Sequence, residues 1–207
     1  MSEYSFRAGV YVKIDSDAYL DRREAVPKLV GNPQDFLIIA GLSGAAMDIA
    51  SLCEPDPNYY AFAGVMGGAT MMGLGLALAQ PKKRVLVMTG DGDLLMNLGS
   101  LATIAVMGPP NLSIVCVDNG QYWETGRQQT HTSLGTDLAV IAAGAGIAEV
   151  RTVIQETQIA EAAELIRQNN GPSFILLKVK PTAPPKIKRH RDAAWLKFRF
   201  RQALLGK

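Results

Sequence analysis

Arg84-Val85-Leu86-Val87-Met88-Thr89-Gly90-Asp91-Gly92-Asp93 passes from an apolar run into two carboxylates framed by glycine. The first half has no polar alternation, so it reads as a strand buried on both faces. The second half is the turn through which such a strand hands over to a helix. Outward from it, residues 36–40, 112–117 and 173–179 have the same apolar character. Residues 45–52, 67–79, 94–107, 137–144 and 155–169 carry helical patterns. In the last of these, Ile159, Ala162, Ala163 and Ile166 form one stripe and Asn170-Gly171-Pro172 follows as a stop. The alternation predicts an α/β fold: a doubly wound, mainly parallel sheet with helices on both faces, because parallel strands need long crossovers. Ligands of such sheets bind beyond the carboxyl ends of the strands. Two segments there hold the chemistry, Thr89 to Asp93 and Asp118-Asn119-Gly120-Gln121-Tyr122.

The chain has 207 residues, 48% of them hydrophobic, which is ample for a packed core. Its formal net charge of +2 excludes a nucleic-acid binder across the whole surface. Cys53 and Cys116 are the only cysteines, too few for a disulfide framework or a metal knuckle, and both read as buried apolar residues. Glu3, Arg7, Lys13 and Asp15 interrupt the amino terminus, so no signal peptide is expected and the location is read as cytoplasmic. Residues 61–80 carry no charge and include a Gly64/Gly68 GxxxG spacing, but they are rich in Ala, Met and Gly and end at Pro81-Lys82-Lys83-Arg84. They are read as non-membrane. The domain plan is an extension over 1–30, a ligand-binding domain over 31–181 and a basic tail over 182–207 that ends in a short helix. That tail, with Lys186, Lys188, Arg189, His190 and Arg191, fits a solvated segment, a dock for an acidic partner or, least well, nucleic acid.

Gly90-Asp91-Gly92 after a strand places N–H groups and one carboxylate where a diphosphate bridged by a divalent cation can sit, and glycine permits the close approach. Alone, the tripeptide fits an ordinary turn as well. The 25 residues between Gly92 and Asp118 hold one helix and one strand, which brings both loops to the same edge. Asp91, the amide oxygen of Asn119 and a main-chain carbonyl near Gln121 would then be hard oxygen ligands for Mg²⁺.

This arrangement resembles the thiamine diphosphate enzymes, in which Gly-Asp-Gly is followed about two dozen residues later by an Asn pair; here Asp118 stands at the first Asn and Asn119 keeps the ligand position. Phe62-Ala63-Gly64-Val65-Met66-Gly67 is similar to the family's stretch ahead of its cofactor-facing helix. The resemblance implies that the Gly64 carbonyl accepts from the pyrimidine 4′-amino group and that Met66 wedges the cofactor bent. It places Gly90, Asp91, Gly92, Asp93, Asn119, Gln121 and Tyr122 around the cofactor, with Asp91, Asn119 and Gln121 on the metal. The run from Asp118 to Thr130 looks like the loop of phosphonopyruvate and sulfopyruvate decarboxylases. The resemblance to these decarboxylases departs at Asp93, where those enzymes usually carry Ser, so direct contact of Asp93 with phosphate runs into charge repulsion unless it turns away or helps the metal.

The family uses two modules, and the second supplies the Glu that activates the pyrimidine. One module fits in this chain, so a separate α-type subunit is implied, in a heterodimer, α2β2 or larger assembly, acting on a small anionic 2-oxo acid. His131 then reads as a proton donor or anion contact in catalysis, against an idle loop histidine. Arg127 reads as an anion contact, against a solvated arginine. Alternatives within the cofactor class are an acetolactate synthase-like carboligase and a 2-oxo acid oxidoreductase component. Outside it stands a non-catalytic nucleotide- or diphosphate-binding protein.

Overall fold

The computed structural model describes residues 19–54, 56–168 and 170–206. The described chain opens with α1 (Arg22–Val30), β1 (Leu37–Ala40), α2 (Ser43–Cys53), β2 (Tyr59–Ala61), α3 (Ala69–Ala79) and β3 (Val85–Gly90). It continues through α4 (Asp91–Leu95), α5 (Gly99–Met107), β4 (Leu112–Asp118) and a small hairpin of β5 (Gln121–Tyr122) and β6 (Gln128–Gln129). The last elements are α6 (Leu138–Gly144), β7 (Glu149–Val153), α7 (Ile159–Leu165), β8 (Ser173–Lys178) and α8 (Ala193–Leu205).

Strand direction follows from the apolar runs. β1, β3, β4 and β8 are buried almost throughout, and they form the centre of a six-stranded sheet in the order β2-β1-β3-β4-β8-β7. Every pairing in that sheet is parallel. Side chains alternate between two apolar layers, as the period of a strand requires. Ile38, Leu86, Met88, Val115 and Ile175 face the layer that holds α1, α2 and α7. Leu37, Val85, Val87, Ile114 and Phe174 face the layer that holds α3, α5 and α6. The expected doubly wound sheet is thus the observed one. The order reverses between β1 and β3, which opens a crevice at their carboxyl ends.

Several elements differ from the sequence reading. The span 94–107 holds α5 and only the tail of α4, because Asn97 leaves the helical path to donate its amide to the carbonyl of Gly67 at 3.0 Å. The helix expected over 155–169 is regular only as α7, led in by a 3₁₀ turn at Glu156–Gln158, and Asn169 lies outside the described residues. Strands β2 and β7 escape a search for apolar runs, since they are edge strands, one short and the other interrupted by Glu149 and Arg151. Of the segment 1–30, residues 1–18 lie outside the described part, and α1 buries Ala25, Val26, Leu29 and Val30 in the core. The charge-free stretch 61–80 becomes the end of β2, a glycine-rich turn and α3. The 11 residues of α3 reach about 16 Å against a bilayer core of about 30 Å. No helix among the described residues is long and apolar enough to cross a membrane.

Helix α3 lies close against β3 through Gly73, where an added Cβ would stand 2.2 Å from Val87 Cγ2. Gly73→Ala is therefore expected to destabilise the fold by about 1–3 kcal/mol despite the better helix propensity of Ala, read as a lower urea midpoint at unchanged slope.

Candidate active site

Strand β3 ends in extended backbone at Gly90, and Asp91 opens α4, so its carboxylate stands at the carboxyl edge of the sheet. One strand over, β4 ends at Asp118 and delivers Asn119 to the same edge. Asp91 and Asn119 line one cavity of about 240 Å³. Asn119 Oδ1 accepts from the Gln121 N–H at 3.1 Å, which pins the amide and leaves that oxygen a second lone pair. Gly64 and Met66 form another part of the wall, with Met66 40% exposed. Gln121 and Tyr122 close it from the hairpin. The Tyr122 ring lies so tightly on Gly92 that a Cβ there would stand 2.5 Å from Cε1.

Burial pushes the Asp91 carboxyl up to about 6, assisted by the charge of Asp118 and opposed by the hydroxyl of Thr130 and main-chain N–H groups. Asp91 Oδ2 accepts from Thr130 Oγ1 and, at 3.3 Å, from Thr132 Oγ1. Asp118 is buried and balanced, with Lys178 Nζ 2.7 Å from Oδ2 and the Gly120 N–H 3.0 Å from Oδ1. Lys178 loses by burial and gains more from Asp118, so its pKa is raised.

Asp93 and His131 stand differently toward the cavity. Asp93 sits in the cavity wall, but its carboxylate turns inward, accepting the Gly67 N–H at 2.6 Å and the Thr89 hydroxyl at 2.8 Å. It leaves no room for a Cβ on Gly41, whose position would be 1.9 Å from Oδ2. It ties the turn before α3 to the end of β3. His131 opens an exposed 3₁₀ turn, His131–Leu134, and does not line the cavity; its neighbours Thr130 and Thr132 turn inward instead. Arg127 stacks on Trp123 with its guanidinium carbon 4.1 Å from the ring centroid, and Trp123 lines the cavity.

The loop after β1 went unread in the sequence. Leu42, Ser43 and Gly44 line the cavity, and so does Arg22, which is 2% exposed and paired with Asp48 at 2.6 Å. Ser43 holds a positive φ of 57°, and its buried hydroxyl has no partner. The signal for it is positional, since residues 36–40 form a central strand whose exit shares an edge with the loops after β3 and β4.

The family model for the C-terminal TPP-binding domain of thiamine pyrophosphate enzymes matches residues 40–177. The chain belongs to the thiamine diphosphate enzymes. It is 37% identical over 162 residues to the sulfopyruvate decarboxylase subunit beta of Methanothermobacter thermautotrophicus, covering 78% of this chain and 83% of that one. The same subunit of Methanocaldococcus jannaschii is 33% identical over 187 residues, 90% of this chain and 98% of that one. Among solved structures, benzoylformate decarboxylase from Polynucleobacter necessarius superposes with a TM-score of 0.69 at 18% identity, over 84% of this chain and 36% of that one. The chain thus spans about a third of that longer protein.

The cavity suits thiamine diphosphate and a divalent cation on its own chemistry. Ser43 Oγ and Gln121 Oε1 are buried without a partner, and both residues line it. An added Cβ at Gly64 would meet nothing within 4 Å, so space lies open beside the main chain there. One carboxylate with amide and peptide oxygens is a hard donor set, suited to a cation that keeps phosphate and water ligands. Among the described residues no three His, Cys, Asp or Glu side chains gather as a softer metal would need.

The sign of the Asp91 shift gives a pH test. Its folded pKa of about 6 lies above the ordinary 3.8, so without cation the ionised form opposes folding. The Asp91 contribution to stability is therefore whole below 3.8 and lost as pH rises through about 6. Asp91→Asn should gain on wild type across that window by on the order of 2 kcal/mol, measured by urea unfolding in chelator, and a difference flat with pH would exclude the assignment.

Proposed function

We propose that this chain is the cofactor diphosphate- and metal-binding subunit of a two-subunit thiamine diphosphate-dependent decarboxylase acting on a small anionic 2-oxo acid of the sulfopyruvate type. The observation that carries the reading is the meeting of Asp91 and Asn119 on one cavity beside the unpartnered Ser43 and Gln121 oxygens. The full-length match to subunits named beta supports both the reaction and the need for a second subunit.

When bound, thiamine diphosphate supplies the carbon that adds to the 2-oxo group and accepts the electron pair left by departing CO₂. The chain contributes placement. Asp91, the Asn119 amide oxygen and the main-chain carbonyl of Gln121 would hold Mg²⁺, and the N–H groups of the Gly90 to Gly92 turn would receive phosphate oxygens. The Gly64 carbonyl and the Met66 side chain would fix the pyrimidine against the thiazolium. Ser43 would give its spare proton to the diphosphate.

The partner's seat would lie along the helical layer that runs from the cavity edge of the sheet to its opposite edge. Helices α3 and α5 carry no charged residue, yet Met71, Leu78, Val106 and Met107 are exposed on them. Met71, on the first turn of α3, and Val65 and Met66, in the turn before it, are the exposed apolar residues toward the cavity edge, so a pyrimidine-binding subunit resting there would also close the site. The described carboxylates that line the cavity are Asp91, Asp93 and Glu124; Asp91 is read as a metal ligand, Asp93 is tied to Gly67 and Thr89, and Glu124 follows β5, so the pyrimidine activator is assigned to the partner.

The test is decarboxylation of sulfopyruvate with Mg²⁺ and thiamine diphosphate, by the chain alone and with its co-expressed partner. CO₂ release is expected from the pair only. Asp91→Ala and Asn119→Ala should each lower kcat/KM by more than about 100-fold. Turnover at an enzymatic rate by the chain alone, a longer 2-hydroxy ketone as product, or a preference for nucleotide over thiamine diphosphate would each overturn the reading.

A further inference from the structure

Asp91 presents its two oxygens unequally. Oδ2 faces Thr130 and Thr132, whereas Oδ1 receives no side-chain donor among the described residues. The two threonines are 0% and 7% exposed, and their hydroxyls lie 2.9 Å apart. Thr130 is fixed at its main chain as well, its N–H given to the Gly120 carbonyl at 2.9 Å and its carbonyl taking the Ser133 hydroxyl at 2.9 Å. Thr132 reaches on to Asp118 Oδ1 at 2.8 Å, and Asp118 is held by Lys178. Asp118 and Lys178 are register partners on β4 and β8, so this ion pair is built into the sheet. The proton count is consistent: Thr130 gives its one proton to Asp91 Oδ2, and Thr132 shares its own between Asp118 Oδ1 and Asp91 Oδ2, so both lone pairs of that oxygen are engaged.

We infer that Thr130 and Thr132, anchored through Asp118 to Lys178, cap Oδ2 of Asp91 and restrict that carboxylate to one-oxygen ligation, so that the site selects a small six-coordinate cation over calcium. The inference rests on the reading of Asp91 and Asn119 as cation ligands. Its physical basis is the difference between the two ions. Magnesium takes single oxygens in a tight octahedron, whereas calcium is larger and gains from carboxylates that offer both oxygens. For Asp91 to turn bidentate, a fully buried hydroxyl would have to give up its acceptor with no other carboxylate oxygen in reach. These four residues are positioning residues, acting on the ligand from behind. A role in merely satisfying a buried carboxylate would lower stability when lost and leave the choice between the two cations untouched.

The experiment titrates Mg²⁺ or Ca²⁺ into the full chain, assembled with its partner in chelator-treated buffer with thiamine diphosphate present at a fixed concentration, following the fluorescence of Trp123 in the cavity wall. Thr130→Val and Thr132→Val remove a hydroxyl at similar volume, and Thr130→Ser and Thr132→Ser retain it. Each Val variant is expected to weaken Mg²⁺ binding about 10- to 100-fold and to narrow the Mg²⁺/Ca²⁺ affinity ratio about tenfold, with the Ser variants near wild type. If a Val variant does not fold, Lys178→Gln gives the same readout, with recovery expected in Lys178→Arg. A ratio within about twofold of wild type in folded variants overturns this inference alone. Wild-type cofactor binding that needs no divalent cation overturns the metal reading and this inference with it.

Discussion

Three carboxylates, Asp91, Asp93 and Asp118, are buried at one edge of one sheet, and among the described residues one lysine, Lys178, is ion-paired to any of them. Burying a charge costs far more than any one hydrogen bond returns, so each must be answered separately. Asp118 has the lysine. Asp93, pushed up by burial, is answered by the Gly67 N–H and the Thr89 hydroxyl, and in accepting them it draws together the turn before α3, the end of β3 and the loop after β1. Asp91 is answered by hydroxyls on one side only. The remaining deficit of positive charge at that edge is what a cation with its bound phosphates would fill.

The sheet was legible because its central strands are buried on both faces and announce themselves as unbroken apolar runs. Residues 84–88 and 112–117 lie within a residue or two of the observed β3 and β4. The edges were not legible. Tyr59-Tyr60-Ala61 is too short to show a period, and β7 mixes Glu149, Arg151 and Thr152 with its apolar residues, because an edge strand facing water needs polar side chains. Strand order lies beyond any local pattern, since nothing in residues 149–153 says that β7 pairs outside β8.

At the site, the meeting of Asp91 and Asn119 on one cavity was legible because Gly-Asp-Gly and the Asp-Asn pair are short, contiguous and set one helix and one strand apart. The supporting side chains were not. Arg22, Ser43 and Lys178 come from three separate regions of the chain and meet only through the crossovers of the sheet. Lys178 left a trace, a charge at the end of an otherwise apolar run, which in hindsight marks a buried counter-ion. His131 is exposed and off the cavity wall of this chain by itself. A titratable residue beside a motif drew attention, while the plain hydroxyls on either side of it, Thr130 and Thr132, do the inward-facing work.

The two rims of the sheet are guarded by unlike means. At β7 the guard is ionic, with Arg151 against Glu149 and Glu161. At β2 it is the last helix, which buries Leu196 and Phe200, sets Phe200 edge-on to Tyr60 at 6.4 Å, and brings Arg199 over the Tyr59 ring. Trimming the chain before α8 would strip that rim of its cover and leave Tyr60 and Phe62 open to a neighbouring molecule's strand, a route to polymerisation. Affinity tags and fusion partners therefore belong beyond residue 206, spaced so that the helix can still close against its strand.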